Sequence, residues 1–315
     1  MLGFGQPTSP IAQKQELYYN KKAKPATKGS PVSARKRINS TEIIARLNHK
    51  KNIHYQDAEI TGEIDLTTLQ PTDQINDDHT IKSRITFINC TFTANITAHD
   101  ADDDALPTPT EFQRDVTFRD CTFQKRADFS HAQFLGAVEF ENVTFAAQAS
   151  FHETMFSGSA NFNGAQFLAP ANFSSAQFSA RADFDDALFS GAADFRAAQF
   201  SSHASFRDVQ FLNHASFFAV QFWESADLHG AAFSMRADFD GASFSGNAAF
   251  TSAQFLQDTG FGDACFYGEA DFRGAAFSKE PVFWNADFEG DKHFEGVTLQ
   301  GKPFDPSALA PGQVA

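Results

Sequence analysis

Phenylalanine recurs at fixed steps along most of this chain, and that rhythm leaves few folds open. In the stretch RADFDDALFSGAADFRAAQF, from Arg181 to Phe200, Phe stands at 184, 189, 195 and 200, in steps of five, six and five. The alternation holds from Phe118 to Leu299. It has 34 rungs, 32 of them Phe, the exceptions being Leu228 and Leu299. The residue two places before a rung is usually small, and is Ala in 23 cases. The unit is close to A-[DN]-F-x-x-A-Q-F-S-G-x. So short a period argues for a solenoid whose length is set by repeat number.

In an extended segment, residues i−2 and i share one face and i−1 takes the other. Ala and Phe therefore point inward while Asp, Asn or Gln meets water, and the residues between triplets turn corners. Gly136, Gly158, Gly191, Gly246 and Gly268 fall in the longer corner, where a positive φ is expected of them. Stacking narrows the number of sides to four or two, and the charges favour four. A three-sided coil would set five-residue steps over six-residue steps, whereas a four-sided coil of about 22 residues sets like over like. At that spacing Asp183, Ser205, Asp227, Ala249 and Asp271 stack, so that a neutral rung separates like charges. A two-sided coil of 11 would place Asp183 directly on Asp194.

The ladder starts before Phe118. Tyr55, Ile60 and Leu66 keep the five-six spacing, as do Phe87, Phe92 and Ala98. The wider gaps between these sets imply two insertions at the same part of the coil, near 70–83 and 99–115. Upstream, Asn39 reads as a helix N-cap, with Glu42 placed to bond back to it and Ile38 and Ile43 placed as a hydrophobic staple. Residues 38–51 are thus a short helix capping the first coil. Residues 1–37, with four prolines and many lysines, read as a disordered basic arm, and 301–315 as a flexible tail.

The A-[DN]-F-x-x units, such as Ala182-Asp183-Phe184-Asp185-Asp186 and Ala270-Asp271-Phe272-Arg273-Gly274, resemble those of pentapeptide-repeat proteins over about 53–299. The departure is that every second unit has six residues, as in a Phe-rich subgroup. The resemblance implies an all-β fold, a right-handed quadrilateral parallel β-helix.

Net charge is −14, unevenly placed. Residues 1–51 carry 11 Lys or Arg against Glu16 and Glu42, a net of +9, which leaves −23 on residues 52–315. So acidic a body argues against direct nucleic-acid binding. No apolar run is long enough to cross a membrane as a helix, and the first residues lack the pattern of a secretory signal, so a cytoplasmic protein is expected.

Candidate chemistry is sparse. His203 and His214 fall on opposite sides of a 22-residue coil, and the other histidines read as scattered outward positions. Cys90 and Cys121 are expected to stack inside as buried thiols, while Cys265 faces outward. Asp102, Asp103 and Asp104 sit in an acidic loop that echoes a calcium site but has Ala105 where Gly is wanted. No enzyme, cofactor or metal is expected. The outward apolar residues Leu168, Leu212 and Leu256 form a row after rungs of one ladder, and Trp223 and Tyr267 follow rungs on the opposite corner. With Asp102, Asp103 and Asp104, they are the candidate partner contacts. The expected function is a rigid, acidic, non-catalytic scaffold docking an unknown protein partner, with a possible homodimer through the carboxyl end. The alternative is a DNA mimic, since some pentapeptide-repeat proteins occupy the DNA-binding groove of a type II topoisomerase.

Overall fold

The computed structural model describes residues 35–69, 79–99 and 109–304. The chain divides into two units, Met1–Lys36 and Arg37–Ala315, and the described part of the second is a parallel β-solenoid of four sides. The first side carries 11 strands, from Ile53–Gln56 to Lys292–His293, and so marks eleven coils. At the strand spacing of a sheet this makes a rod of about 50 Å. The register is 22 residues. Asn161 lies beside Asp183, Asp183 beside Ser205, and Ser205 beside Asp227, so acidic rungs alternate with neutral ones. On the first side Ala182 and Phe184 donate their N–H groups forward to the next coil. On the second, Leu188 and Ser190 donate backward. The third side repeats the first, with Ala193 and Phe195 donating forward, and the fourth repeats the second, with Gln199 and Ser201 donating backward.

The core is a herringbone of rings. Along one side they stack nearly parallel, Phe162, Phe184 and Phe206 following at 4.8 Å with planes within 2°. Across the axis, first- and third-side rings meet edge to face. Phe184 lies 5.4 Å from Phe173 and 5.5 Å from Phe195, at 87° and 88°. Second-side rings lean on the third (Phe189 to Phe195, 5.8 Å), and fourth-side rings on the first (Phe178 to Phe184, 5.9 Å). Offset stacking and edge contact are the two arrangements the ring quadrupole favours. The Ala at i−2 is fully buried beside each ring and leaves it room.

The Asp or Asn of the A-[DN]-F triplet does more than face water. On the first and third sides its Oδ1 accepts the N–H of the residue after Phe: Asp185 to Asp183 at 3.0 Å, Arg196 to Asp194 at 3.0 Å, Ser174 to Asn172 at 2.9 Å. This local bond starts the five-residue corner. The corner closes with bonds such as Ala187 N–H to the Phe184 carbonyl, 3.0 Å, and its third residue is left-handed. Asp120, Asn142, Asp186, Asp208 and Asp263 hold that place, as do Gly164, Gly230, Gly241 and Gly274.

The expectation for the long-corner glycines is thereby corrected. Gly136, Gly158, Gly191, Gly246 and Gly268 do not have positive φ. They are small because the coil below is too close: a Cβ on Gly191 would lie 2.2 Å from the Ala169 carbonyl carbon, and one on Gly158 2.4 Å from the Gly136 oxygen.

Helix α1, Ser40–Asn48, covers the first coil. Asn39 caps it, accepting from Thr41 N–H at 2.9 Å. Ile43 and Leu47 close over Ile64, Leu66 and Phe87 around a small apolar cavity. Glu42 does not return to the cap. It accepts instead from the Tyr55 hydroxyl at 2.6 Å, because the first coil's ring lies directly beneath it. Lys36–Asn39 forms an extra strand at one end of the second side, and Lys302–Pro303 pairs antiparallel at the other, so both edges of that sheet are covered.

Both insertions leave after the third side and rejoin at the fourth. The fourth-side strands Thr80–Ile81 and Glu111–Phe112 pair with each other, which extends the coil into the carboxyl ends of the ranges 70–83 and 99–115. Residues 70–78 and 100–108, with Asp102, Asp103 and Asp104, lie outside the described residues.

Candidate interaction surface

With the core taken by Ala and Phe, only outward positions and corners can carry function. The residue after each rung is the most prominent of these, because there the chain leaves the strand. On the second side this column holds Leu168, Leu212 and Leu256. Leu168 is 47% exposed, whereas Leu212 and Leu256 are half-buried. The row is therefore weaker than its spacing suggests.

The third and fourth sides, joined by short corners, present a stronger surface. Phe218, Trp223, Tyr267, Val282 and Trp284 are each between 49% and 58% exposed. Trp223, Tyr267, Gln221, Ser243 and Ser245 line a shallow open groove of about 400 Å³ on the fourth side. Trp223 and Tyr267 stand two coils apart with Ser245 between them. Val282 and Trp284 escaped the sequence reading. Trp284 could have been found by following Phe218 along its column at 22-residue spacing, through Asp240 and Gly262.

Comparison with known proteins agrees with this architecture. A family model described as pentapeptide repeats (9 copies) matches residues 110–155, 151–199 and 228–276. The chain carries pentapeptide repeats. No curated protein and no solved structure matches it.

On the pentapeptide-repeat coils many strand carboxylates have an arginine beside them. Asp194 meets Arg196 at 2.6 Å, Asp227 meets Arg207 at 2.7 Å, and Asp183 meets Arg181 at 3.2 Å. Arg273 pairs with Asp271. Burial pushes the Asp271 carboxyl up, but its hydrogen bonds and charge pairing with Arg273 prevail and hold it below the usual range. Asp185 and Asp240 go the other way, raised chiefly by burial. The acidic face is thus broken by local ion pairs.

Cys90 and Cys121 stack as the spacing required, both buried, with Cys90 N–H 3.4 Å from the Cys121 sulfur. The bond to Cys90 and burial push the Cys121 thiol far up, which makes it a poor nucleophile. Cys265 is half-buried beside Tyr267. His203 bonds Ser225 at 2.7 Å, and the exposed His214 is on another side.

The remaining histidines are not all scattered, and here the sequence reading is corrected. His99, His131 and His152 follow one another in successive coils at the third side, ring centroids 5.4 and 5.5 Å apart. His99 is 3.1 Å from the buried Asp128. His131 and His152 converge on Glu153. The 21-residue step between His131 and His152 hid this, because one sits two places after its rung and the other only one.

Proposed function

We propose that this pentapeptide-repeat protein is a non-catalytic scaffold. It docks a protein partner on the edge between its third and fourth sides, in the carboxyl half. The observation that carries this reading is the exposure of Phe218, Trp223, Tyr267, Val282 and Trp284 on adjoining sides of a rod whose ladder rings are nearly all inside. Exposed aromatic side chains grouped in this way mark contact surfaces. Leu168 supports a second, smaller contact on the second side. The last coil, where Phe288, Phe294 and Leu299 are only partly buried, is the surface we assign to a second copy of the chain. No helix among the described residues is long and apolar enough to cross a membrane. The buried free thiols suit a reducing compartment, and we place the scaffold in the cytoplasm.

The test is affinity capture with the full chain and with a Trp223→Ser, Tyr267→Ser, Trp284→Ser variant. A partner that binds the first and not the second supports the reading, and a partner held equally by both sinks it.

The −23 body favours a second reading, a DNA mimic that binds an enzyme such as a type II topoisomerase. The arginines beside the strand carboxylates dilute the field that such mimicry needs. A supercoiling assay separates the two: inhibition or protection of the enzyme by purified protein supports mimicry, and no effect removes it.

A further inference from the structure

The geometry points to a divalent transition-metal site, suited to zinc, formed by His131, His152 and Glu153 on the corner between the third and fourth sides. The three ligand atoms lie within 4.8 Å of one another. His131 Nδ1 is 3.2 Å from one Glu153 oxygen, and His152 Nε2 is 3.3 Å from the other. Bonds of about 2.0–2.2 Å around a tetrahedral zinc put neighbouring ligand atoms about 3.3 Å apart. Each imidazole nitrogen is therefore already at that distance from a carboxylate oxygen, each from a different one, and rotation of the carboxylate and the rings brings one atom of each residue onto a shared ion.

The hydrogen bonding of His152 favours the same conclusion. Its Nδ1 lies 3.1 Å from the Ser174 carbonyl and 2.8 Å from the Ser174 hydroxyl. A carbonyl only accepts, so Nδ1 carries the proton and donates it. In the neutral ring Nε2 then turns a lone pair toward Glu153. A metal ion at this point would meet Nε2 of His152, Nδ1 of His131 and the carboxylate together. The Ser174 bond is the outer-shell contact that fixes the tautomer of a metal-bound histidine.

The backbone also contributes. His131 occupies the left-handed corner place, φ 58°, where Asp, Asn or Gly stands in many other coils. Such a conformation projects its side chain toward the next coil, where His152 and Glu153 follow a rung. Imidazole nitrogen with one carboxylate suits zinc, nickel or copper and not the hard, all-oxygen ions. Three protein ligands on a partly exposed corner leave the fourth position to water.

The full chain, stripped with a chelator, is titrated with zinc chloride by calorimetry and melted with and without the ion. One zinc is expected per chain, with a higher melting temperature. Co²⁺ in its place should give the visible absorption of a four-coordinate site. His131→Asn, which suits the left-handed corner, His152→Gln and Glu153→Gln should each keep the circular dichroism of the parent. Each should lose at least tenfold in zinc affinity, along with the thermal shift. His214→Gln, elsewhere on the surface, should keep both. No zinc bound by the parent chain, or equal binding by the three ligand variants, overturns the proposal.

Discussion

The Tyr55 hydroxyl donates a 2.6 Å hydrogen bond to Glu42, tying the first ring of the ladder to the helix that covers it. Burial, then the bond and charge of Glu42, push the phenol up to about 12. A raised folded value means that the contribution is complete below the ordinary tyrosine range and is lost as pH rises through the folded value. Tyr55 should titrate late by ultraviolet absorbance, and Glu42→Gln should bring it down part of the way. Tyr55→Phe should cost about 1–3 kcal/mol, the worth of a bond to a charged acceptor. Faster amide exchange should be confined to helix α1 and the first coil.

Position along the rod should grade the cost of removing a ring. Phe184 is fully buried, stacked above and below and met edge-on by three rings. Phe184→Ala should destabilise by about 3–5 kcal/mol. Phe294, in the last coil, is only partly buried, and Phe294→Ala should cost less than half as much. Denaturant melts of the two variants decide this.

The two corner types should answer glycine in opposite ways. Ala219 is left-handed, φ 54°, in the short corner. Relieving it by Ala219→Gly should stabilise by up to about 1 kcal/mol, the left-handed cost less the added chain entropy. Gly191→Ala should destabilise, since its Cβ would lie 2.2 Å from the backbone carbon of Ala169. Equal responses at the two positions would show that the corners do not differ in this way.

Acid should sort the carboxylates. Asp271, depressed because Arg273 outweighs its burial, stabilises at neutral pH and loses that contribution as pH falls through its lowered value. Asp240 is raised chiefly by burial while accepting the Gly262 N–H at 2.7 Å, so its cost at neutral pH fades as pH falls through its raised value. Asp240→Asn should therefore raise the melting temperature at neutral pH and lose the advantage in acid. Asp271→Asn should lower it at neutral pH, with the deficit shrinking in acid.

The spacing of Phe carried most of the architecture: the 22-residue coil, the four sides, and the stacking of Cys90 on Cys121. Its success has a simple cause. Every coil repeats the same contacts, so one triplet read correctly is read some thirty times. What escaped depends on atoms between coils and not on period. The Asp183 carboxylate's bond to its own corner, the backbone pressing on Gly191, and the choice of Tyr55 by Glu42 are contacts that no alternation of apolar and polar residues encodes. The surface was legible only where it kept the period. Trp223 and Tyr267 are 44 residues apart and could be aligned, whereas His131 and His152 meet through two different corner positions.

The reversal of hydrogen-bond direction from side to side has an electrical consequence. In an α-helix every N–H points one way, and the ends acquire partial charges that select acidic residues at one terminus and basic ones at the other. Here Ala182 and Phe184 point forward while Leu188 and Ser190 point back, so the peptide dipoles of neighbouring sides oppose one another. The cancellation is partial, since the short-corner residues Asp186 and Ala197 also donate forward, but each added coil builds less potential between the ends than an α-helix would. The field a partner feels along this rod comes chiefly from its side chains, and can change from coil to coil without disturbing the backbone beneath.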